Sequence, residues 1–354
     1  MNTEVNRFHR ERWSLCRPTR DRSALNVVLS VLAWMLFTLS PPVSAGVYAV
    51  PGQRAAEWLE ARQDVSDGSW LDASDAKTYL QTAEAVLALY QVNRRRAAYY
   101  AGQAWIENHD PKNLDARARR LLVLRATQSS AQLDIDVLLA TVASPATGQT
   151  GWGLAKRYRA APLDTALVLD ALRTAGATFN SAQAIAYLKA TQLPTAGDQG
   201  WPTAAGTTTD PYTTARVVQA LAAFRTSDTT LVTPLANAVA TLNAKVSTSS
   251  APHVRAAAAL AYLRMDPASG NAVTLLNSLT ALQRPDGGFD AGIYATALVA
   301  QAYAAAEGID AIAQRTRVDV PDAALRQAIG LDPRNAAAVV ELGSVLLDSG
   351  RLNE

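Results

Sequence analysis

Apolar and polar positions alternate with a helical period along most of this chain, and one short box of residues returns six times. In the clearest copy, Thr82–Leu89, a threonine and an alanine begin a run of aliphatic residues spaced for one helix face. The boxes begin at positions 82, 117, 165, 214, 255 and 296, so successive starts are 35 to 49 residues apart. This spacing predicts a repeated helical unit.

A second amphipathic stretch precedes each box, so each repeat is predicted to be a pair of helices. These first helices are expected at Ala55–Arg62, Tyr99–Glu107, Asp134–Val142, Ala182–Ala190, Leu235–Leu242 and Val273–Leu282. A two-helix unit of about 40 residues cannot bury its apolar face alone, so neighbouring units must stack. The predicted fold class is therefore all-α, as an open solenoid or a closed ring.

The loop between the paired helices carries a second recurring element, a glycine shortly before a large aromatic residue. The four aromatic residues are Trp70, Trp152, Trp201 and Phe289, and the last follows Gly287 and Gly288. A glutamine ends the preceding helix in three copies, at Gln63, Gln192 and Gln283. Glycine permits positive φ in a turn, an aromatic ring covers a helix end, and an amide satisfies unpaired backbone groups. These residues are therefore predicted to be structural.

This combination resembles the repeat of the squalene cyclase and protein prenyltransferase superfamily, whose hallmark is a glutamine followed by an Asp-Gly-Gly-Phe or Gly-Trp turn. The segment Gln283–Phe289 is the nearest match, and the resemblance covers about Pro51 to Glu307. It implies six hairpins closed into a double-layered α/α toroid, a terpenoid cyclase-like (α/α)6 barrel with a central cavity. A shared fold does not by itself indicate a function.

The two ends of the chain differ from the repeats. Residues 1–45 join an arginine-rich start to the apolar run Ala24–Leu39 and a small-residue site at Ala45, which predicts a cleaved signal peptide. An uncleaved membrane anchor is the alternative, and both place the toroid, 46–310, in the periplasm or outside the cell. Residues 311–354 resemble tetratricopeptide repeats, which predicts either a helical cap or a repeat truncated at Glu354.

The leader also changes what the charge of the chain implies. It holds six arginines and three acidic residues, so the remaining chain has 27 basic and 28 acidic residues. This balance gives no case for binding nucleic acid, and a membrane would be a partner only through an uncleaved leader. The single cysteine, Cys16, lies in the leader, so the exported part has no disulfide, cysteine nucleophile or cysteine metal ligand. No metal or cofactor is expected.

Known activities of the superfamily lack their residues here. Protein prenyltransferases hold zinc with Asp, Cys and His, whereas the chain beyond the leader has only His109 and His253. Class II terpene cyclases protonate an alkene with the middle acid of an Asp-x-Asp-Asp motif. Here Asp134 and Asp136 lack the last acid and fall on the first helix of a hairpin, so they are interpreted as a solvated pair. The five phenylalanines are also few for a cavity that stabilises carbocations.

Candidate ligand-binding residues follow from the geometry of a toroid, in which the second helix of each hairpin lines the cavity. Its beginning would bring to one mouth Tyr79, Tyr158, Asp164, Asp210, Tyr212, His253 and Tyr294. The sixth box position would add Asp170, Gln219 and Gln301. Polar groups beside a cavity favour a hydrogen-bonding ligand. Helix capping and packing between repeats are the alternative explanation for these residues.

Because catalytic motifs are missing, the expected function is a non-catalytic, exported toroid. It would bind a small molecule, a glycan or a protein through its cavity or rim. The alternative is an enzyme of the prenyltransferase or terpene cyclase type, or a polysaccharide lyase or hydrolase on the same fold.

Overall fold

Twelve α-helices and no β-strand lie in the part of the chain that the structure, a computed structural model, describes. The described residues are 46–71, 77–127, 129–203, 206–290, 292–308 and 329–330. In chain order the helices are α1 (Ala49–Glu60), α2 (Thr78–Gln91), α3 (Ala97–Asn108), α4 (Leu114–Ala126), α5 (Gln132–Ala140), α6 (Pro162–Thr174), α7 (Ser181–Thr191), α8 (Pro211–Ala222), α9 (Val232–Lys245), α10 (Pro252–Met265), α11 (Gly270–Leu282) and α12 (Ile293–Glu307). The predicted all-α fold class is confirmed.

These helices form six hairpins, numbered 1 (α1 and α2) to 6 (α11 and α12). The predicted signal peptide, 1–45, lies outside the described residues, as does the predicted tail, 311–354, apart from 329–330. Both stay predictions, as does export. Within the described ranges, no helix is both long enough and apolar enough to cross a membrane.

The second helices of the hairpins form a closed inner ring. Each of α2, α4, α6, α8, α10 and α12 packs against the next, and α12 packs against α2. At this seam Gln301 Nε2 donates to Glu84 Oε2 at 2.6 Å. The outer helices close at the same place, where Gln283 Nε2 donates to the Pro51 carbonyl oxygen at 2.9 Å. The closed ring, rather than the open solenoid, is therefore the architecture.

The inner helices are rich in alanine because they are buried on nearly every side. In α10 the side chains from Ala256 to Ala259 are all fully buried. Such small residues let neighbouring helices approach closely while keeping high helix propensity. Proline begins α6, α8 and α10, where its missing N–H is not needed for the helix.

In hairpins 1, 3, 4 and 6 an aromatic turn joins the outer helix to the inner helix by a repeated set of hydrogen bonds. The backbone N–H of Trp201 donates to Thr214 Oγ1 at 2.9 Å, and its indole Nε1 donates to the Leu188 carbonyl at 2.6 Å. At the other copies the hydroxyl acceptors are Thr82, Thr165 and Thr296. All four aromatic rings are buried. The first box residue is thus the acceptor that holds the turn.

The glutamines of the motif join one hairpin to the next. Gln192 Nε2 donates to the Gln199 carbonyl in its own turn and to the Pro234 carbonyl at the start of α9, at 2.9 and 2.8 Å. Gln63 and Gln283 make the equivalent pair of bonds. Gly287 has φ +93°, and a Cβ there would lie 2.3 Å from the Arg54 carbonyl oxygen. Gly288 lies against the Trp58 ring.

Hairpins 2 and 5 lack the aromatic turn, and both have arginine instead of threonine at the first box position. In hairpin 2, Arg117 donates to Asp134 Oδ1 at 2.6 Å and to Asp110 Oδ1 at 3.1 Å. Asp134 is therefore buried in an ion pair, and only Asp136 is exposed, so the interpretation as a solvated pair is wrong. The partner of Asp134 comes from another helix, which its local sequence does not show.

Candidate functional site

Residues in equivalent register on the inner helices fall into three layers, at the spacing i, i+4, i+7. The mouth layer consists of Leu80, Asp115, Leu163, Tyr212, His253 and Tyr294. The middle layer consists of Glu84, Arg119, Leu167, Arg216, Ala257 and Leu298. The deep layer consists of Leu87, Leu122, Asp170, Gln219, Leu260 and Gln301. Contacts between helices that are not neighbours in the ring, described below, cross its centre.

Three aromatic side chains occupy one half of the mouth layer. Tyr212, His253 and Tyr294 stand on the consecutive inner helices α8, α10 and α12, with ring centroids 6.0 to 6.5 Å apart. The hydroxyls of Tyr212 and Tyr294 are hydrogen-bonded to each other. Burial lowers the pKa of His253, so its imidazole is neutral at pH 7. We call these three residues the aromatic cluster.

Two carboxyl groups face the other half of the ring, on the neighbouring helices α4 and α6. Burial and the charge of Asp164 raise the pKa of Asp115 to about 7. Burial also raises the pKa of Asp164 to about 6, although Arg119 opposes the shift. Arg119 Nε donates to Asp115 Oδ1 at 2.8 Å, and the Asp115 side chain is 24% exposed. We call Asp115 and Asp164 the carboxyl pair.

Arg119 does not balance the charge of the carboxyl pair, because it also forms an ion pair with Glu84. Its Nη1 donates to Glu84 Oε1, both side chains are buried, and its guanidinium lies 5.9 Å from the centroid of the Tyr294 ring. Around the middle layer, Glu84, Asp115 and Asp164 supply three acidic groups against Arg119 and Arg216. One proton retained by the carboxyl pair makes this group electrically neutral, which agrees with the raised pKa values.

The deep layer is held by a separate set of polar contacts. Arg264 Nη1 donates to both Asp170 oxygens at 3.2 Å, and Arg173 Nη2 donates to Asp170 Oδ1 at 3.0 Å. Burial alone would raise the pKa of Asp170, but these guanidinium groups lower it, so Asp170 is an ionised acceptor. Gln219 Nε2 donates to the Ala257 carbonyl at 2.7 Å. The contact of Arg264 with Asp170 joins α10 to α6 across the ring, whereas Gln219 joins the neighbouring helices α8 and α10.

Comparisons with known proteins bear on the fold. The sequence matches no protein family profile and no curated protein. Its structure is similar to that of the type II terpene cyclase MstE from Scytonema, with a TM-score of 0.57, 16% identity, and coverage of 76% of this chain and 100% of that chain. The chain has a terpenoid cyclase-like fold.

Two further solved structures share this terpenoid cyclase-like fold. One is an aspartate-to-asparagine variant of MstE in complex with geranylgeranyl dihydroxybenzoate, its substrate, at 15% identity and TM-score 0.57, covering 74% of this chain and 97% of that chain. The other is a protein from Actinoplanes at 21% identity and TM-score 0.56, covering 73% of this chain and 99% of that chain. A third MstE structure, of a second variant, holds merosterolic acid A, the product.

The expected non-catalytic function is corrected by these findings. The structures that share the terpenoid cyclase-like fold include a cyclase with substrate and with product bound, which favours the enzymatic alternative. That expectation rested on a missing Asp-x-Asp-Asp segment. In the cyclase-like ring, however, the carboxyl pair comes from two helices and cannot be read from one segment.

Three candidate residues of the mouth lie elsewhere in the cyclase-like ring. Tyr79 lies between hairpins, with its ring 5.4 Å from that of Trp105 and its hydroxyl 3.4 Å from the Ile106 carbonyl oxygen. Tyr158 is in the loop before α6 and is 59% exposed. Asp210 caps α8 by accepting the Thr213 N–H at 2.7 Å, which is the structural role considered as its alternative.

Glu84, Asp115, Arg119 and Arg216 were missed by the sequence analysis. Glu84, Arg119 and Arg216 occupy the third box position, where a charge interrupts an otherwise buried helix. Asp115 precedes its box by two residues, as Tyr212 and Tyr294 do. The signal available in the sequence was therefore that Asp115 stands at the same position relative to its box as the residues of the aromatic cluster.

The carboxyl pair should make the stability of the protein depend on pH. In the folded state Asp115 keeps its proton up to about pH 7 and Asp164 up to about pH 6, whereas the ordinary pKa of an aspartate side chain is 3.8. Between these pH values the folded state therefore binds more protons than the unfolded state. The stabilisation that the carboxyl pair gives the folded state is fully present below about pH 4 and is lost as the pH rises through 6 to 7. Asp115→Asn is expected to raise the free energy of unfolding at about pH 8 by about 1–3 kcal/mol.

Urea unfolding of the parent and of Asp115→Asn, each at about pH 5 and about pH 8, measures this effect. The variant should lose less stability than the parent between the two conditions. An equal loss in both proteins would contradict a raised pKa at Asp115. Asp136→Asn, at an exposed carboxyl, is the matched control and should behave like the parent.

Proposed function

We propose that this protein is an enzyme that protonates a carbon–carbon double bond of a prenyl-type lipid and thereby cyclises it, with Asp115 as the acid. The carboxyl pair carries the proposal, because a partly buried carboxyl group that stays protonated to about pH 7 is what proton donation requires. The fold shared with a substrate-bound type II terpene cyclase supports it, as does the cyclase-like repeat at Gln283–Phe289.

In the first step, the proton leaves Asp115 for one alkene carbon. The π electron pair forms the new C–H bond, the other alkene carbon becomes a cation, and the O–H electron pair stays on the carboxylate. Arg119 Nε, 2.8 Å from Asp115 Oδ1, stabilises that carboxylate. Before the transfer, the negative charge of Asp164 raises the pKa of Asp115 and so favours the protonated form of the acid.

The cation then reacts with the electrons of a second double bond, which closes a ring and moves the positive charge. The faces of the aromatic cluster lie in the same layer as Asp115 and stabilise a nearby cation electrostatically. A neutral His253 suits this role, because a charged imidazole would repel the cation. Water takes a C–H proton, the C–H electron pair forms the new double bond, and the Asp115 carboxylate regains a proton from solvent, so the product is an isomer of the substrate.

The rest of the ring interior supports an apolar substrate. Leu80 and Leu163 complete the mouth layer, and Leu167, Ala257 and Leu298 complete the middle layer. A prenyl chain has no polar group to place against these side chains, so it meets no desolvation cost there. The ion pair of Glu84 and Arg119 is buried in the same middle layer.

The test is to incubate the purified protein with geranylgeranyl-substituted hydroxybenzoates in H₂O and in D₂O. We expect a product of unchanged mass in H₂O and one carbon-bound deuterium in D₂O, because the Asp115 proton exchanges with solvent. The rate should fall about tenfold per pH unit above pH 7, as Asp115 ionises. A product without deuterium, or a rate that rises through pH 7, would contradict acid initiation by Asp115.

A further inference from the structure

The junction between one hairpin and the next outer helix is filled differently around the ring. In hairpins 1, 4 and 6 the motif glutamine reaches the second or third residue of the next outer helix, as Gln63 does with the Ala98 carbonyl at 2.8 Å. The aromatic ring packs beside it. At Gly102 in α3, a Cβ would lie 2.4 Å from the Trp70 ring, so the ring fills this junction completely.

In hairpin 2 an ion pair occupies the corresponding junction with the next outer helix. Arg117 reaches Asp134, the third residue of α5, at 2.6 Å. The ion pair therefore occupies the position that a glutamine takes elsewhere.

Hairpin 5 has neither of these fillings at the start of the next outer helix, because its Arg255 donates instead to Ser278, further along α11, at 3.1 Å. Its outer helix ends at Val246, in the capping position that Gln192 and Gln283 hold in α7 and α11. The connection 246–251 contains no glycine and no aromatic residue. A cavity of about 310 Å³ lies at this junction, between the end of α9, the connection and the start of α11. We call it the hairpin-5 groove.

The register of α11 shows that the groove replaces the missing motif. Asn271 is the second residue of α11, as Ala98 is of α3, and Leu275 lies four residues further on, as Gly102 does. Asn271 and Leu275 both line the groove. The hairpin-5 groove therefore occupies the space that a glutamine and an aromatic ring fill in other hairpins.

The lining of the groove combines an apolar base with an uncharged polar rim. Val246, Tyr262 and Leu275 are buried and form the base. The exposed rim consists of Asn243, Ser247, Thr248, Asn271 and Thr274. None of the described residues that line the groove is charged. Asn271 Nδ2 donates to Asn243 Oδ1 at 3.0 Å, which holds both amides in one orientation.

From this chemistry we infer that the hairpin-5 groove binds one neutral pyranose unit of a glycan. A pyranose ring has an apolar C–H face that matches the base, and hydroxyl groups around its edge that match the amides and hydroxyls of the rim. The volume is at the lower end of ligand pockets, which suits one sugar unit rather than a long chain. A charged ligand would find no counterion here, since the nearby Lys245 pairs with Asp198 at 2.9 Å.

Nuclear magnetic resonance of the full chain, labelled with ¹⁵N, tests the site without any assay of catalysis. The probes are the methyl pyranosides of glucose, mannose, galactose and N-acetylglucosamine, with glucuronate as a charged match to glucose. At least one neutral sugar should cause saturable shifts of the Ser247 and Thr248 amides and of the Asn243 and Asn271 side-chain amides. We expect a Kd on the order of 1 mM or tighter.

The double variant Asn243→Ala/Asn271→Ala should weaken binding about tenfold or more, because it removes both rim amides. Thr274→Phe should also abolish binding, by filling the groove from an exposed helix position. Val273→Ala, at an exposed position of α11 that does not line the groove, is the control and should bind like the parent. Saturable shifts by none of the sugars, unchanged binding by the double variant, or tighter binding of glucuronate than of glucose would each overturn the inference.

Discussion

Asp115→Asn is expected to lower the rate of cyclisation by a factor on the order of 10²–10⁴ while the protein stays folded. The amide has nearly the shape of the carboxyl group and still accepts from Arg119, but it has no acidic proton to give. Because the same change removes a partly buried ionisable group, the variant should be less active and more stable at once. Loss of activity from unfolding would show the opposite change in stability.

Asp164→Asn is the companion variant, because it removes the neighbouring charge but leaves the acid. Without that charge the pKa of Asp115 should fall, so the decline of the rate with pH should begin at a lower pH. Measuring the pH dependence of the rate for both variants separates the two roles. A fully active Asp115→Asn variant would refute the assignment of Asp115 as the acid.

Trp201→Ala is expected to lower the free energy of unfolding by about 3–5 kcal/mol, which is a large part of a typical domain's stability. The ring is fully buried, and its indole N–H donates to the Leu188 carbonyl at the end of α7. Alanine would leave a cavity at the junction of two hairpins and would remove one of the two hydrogen bonds that the Leu188 carbonyl accepts.

Tyr212→Phe is the comparison for Trp201→Ala, since it removes only a hydroxyl from the mouth layer. Its free energy of unfolding should change by about 1 kcal/mol or less. Thermal and denaturant unfolding of both variants beside the parent measures the difference. A Trp201→Ala variant as stable as the parent would show that the aromatic turn does not hold the ring together.

The fold was predictable because its signals are local and repeated. Gln283 and Phe289 are six residues apart, and their type, order and phase with the helices recur in other hairpins. Closure of the ring follows from the number of repeats once the family resemblance is drawn. Hairpins 2 and 5 carry a weaker signal, because arginine replaces threonine where the aromatic turn is missing.

The candidate site was only partly predictable, because it depends on which helices become neighbours. Tyr212, His253 and Tyr294 could be placed at one mouth since each precedes its own box by two residues. Asp115 and Asp164 are 49 positions apart, and neither looks unusual in its own segment. Their raised pKa values arise from burial and mutual repulsion, which exist only after α4 and α6 have packed together.

The seam between hairpins 6 and 1 has a consequence for how the chain could be connected. Tyr48, just before α1, stacks on Tyr303 of α12 with ring centroids 5.6 Å apart, and its backbone N–H donates to Glu307. The two ends of the toroid are therefore neighbours, and every inner helix has the same two kinds of contact. A circular permutant that joins Glu307 to Tyr48 through a short linker, and opens at the exposed connection 247–249, would keep all inner-helix neighbours. The order in which the hairpins are synthesised is thus separable from the order in which they pack.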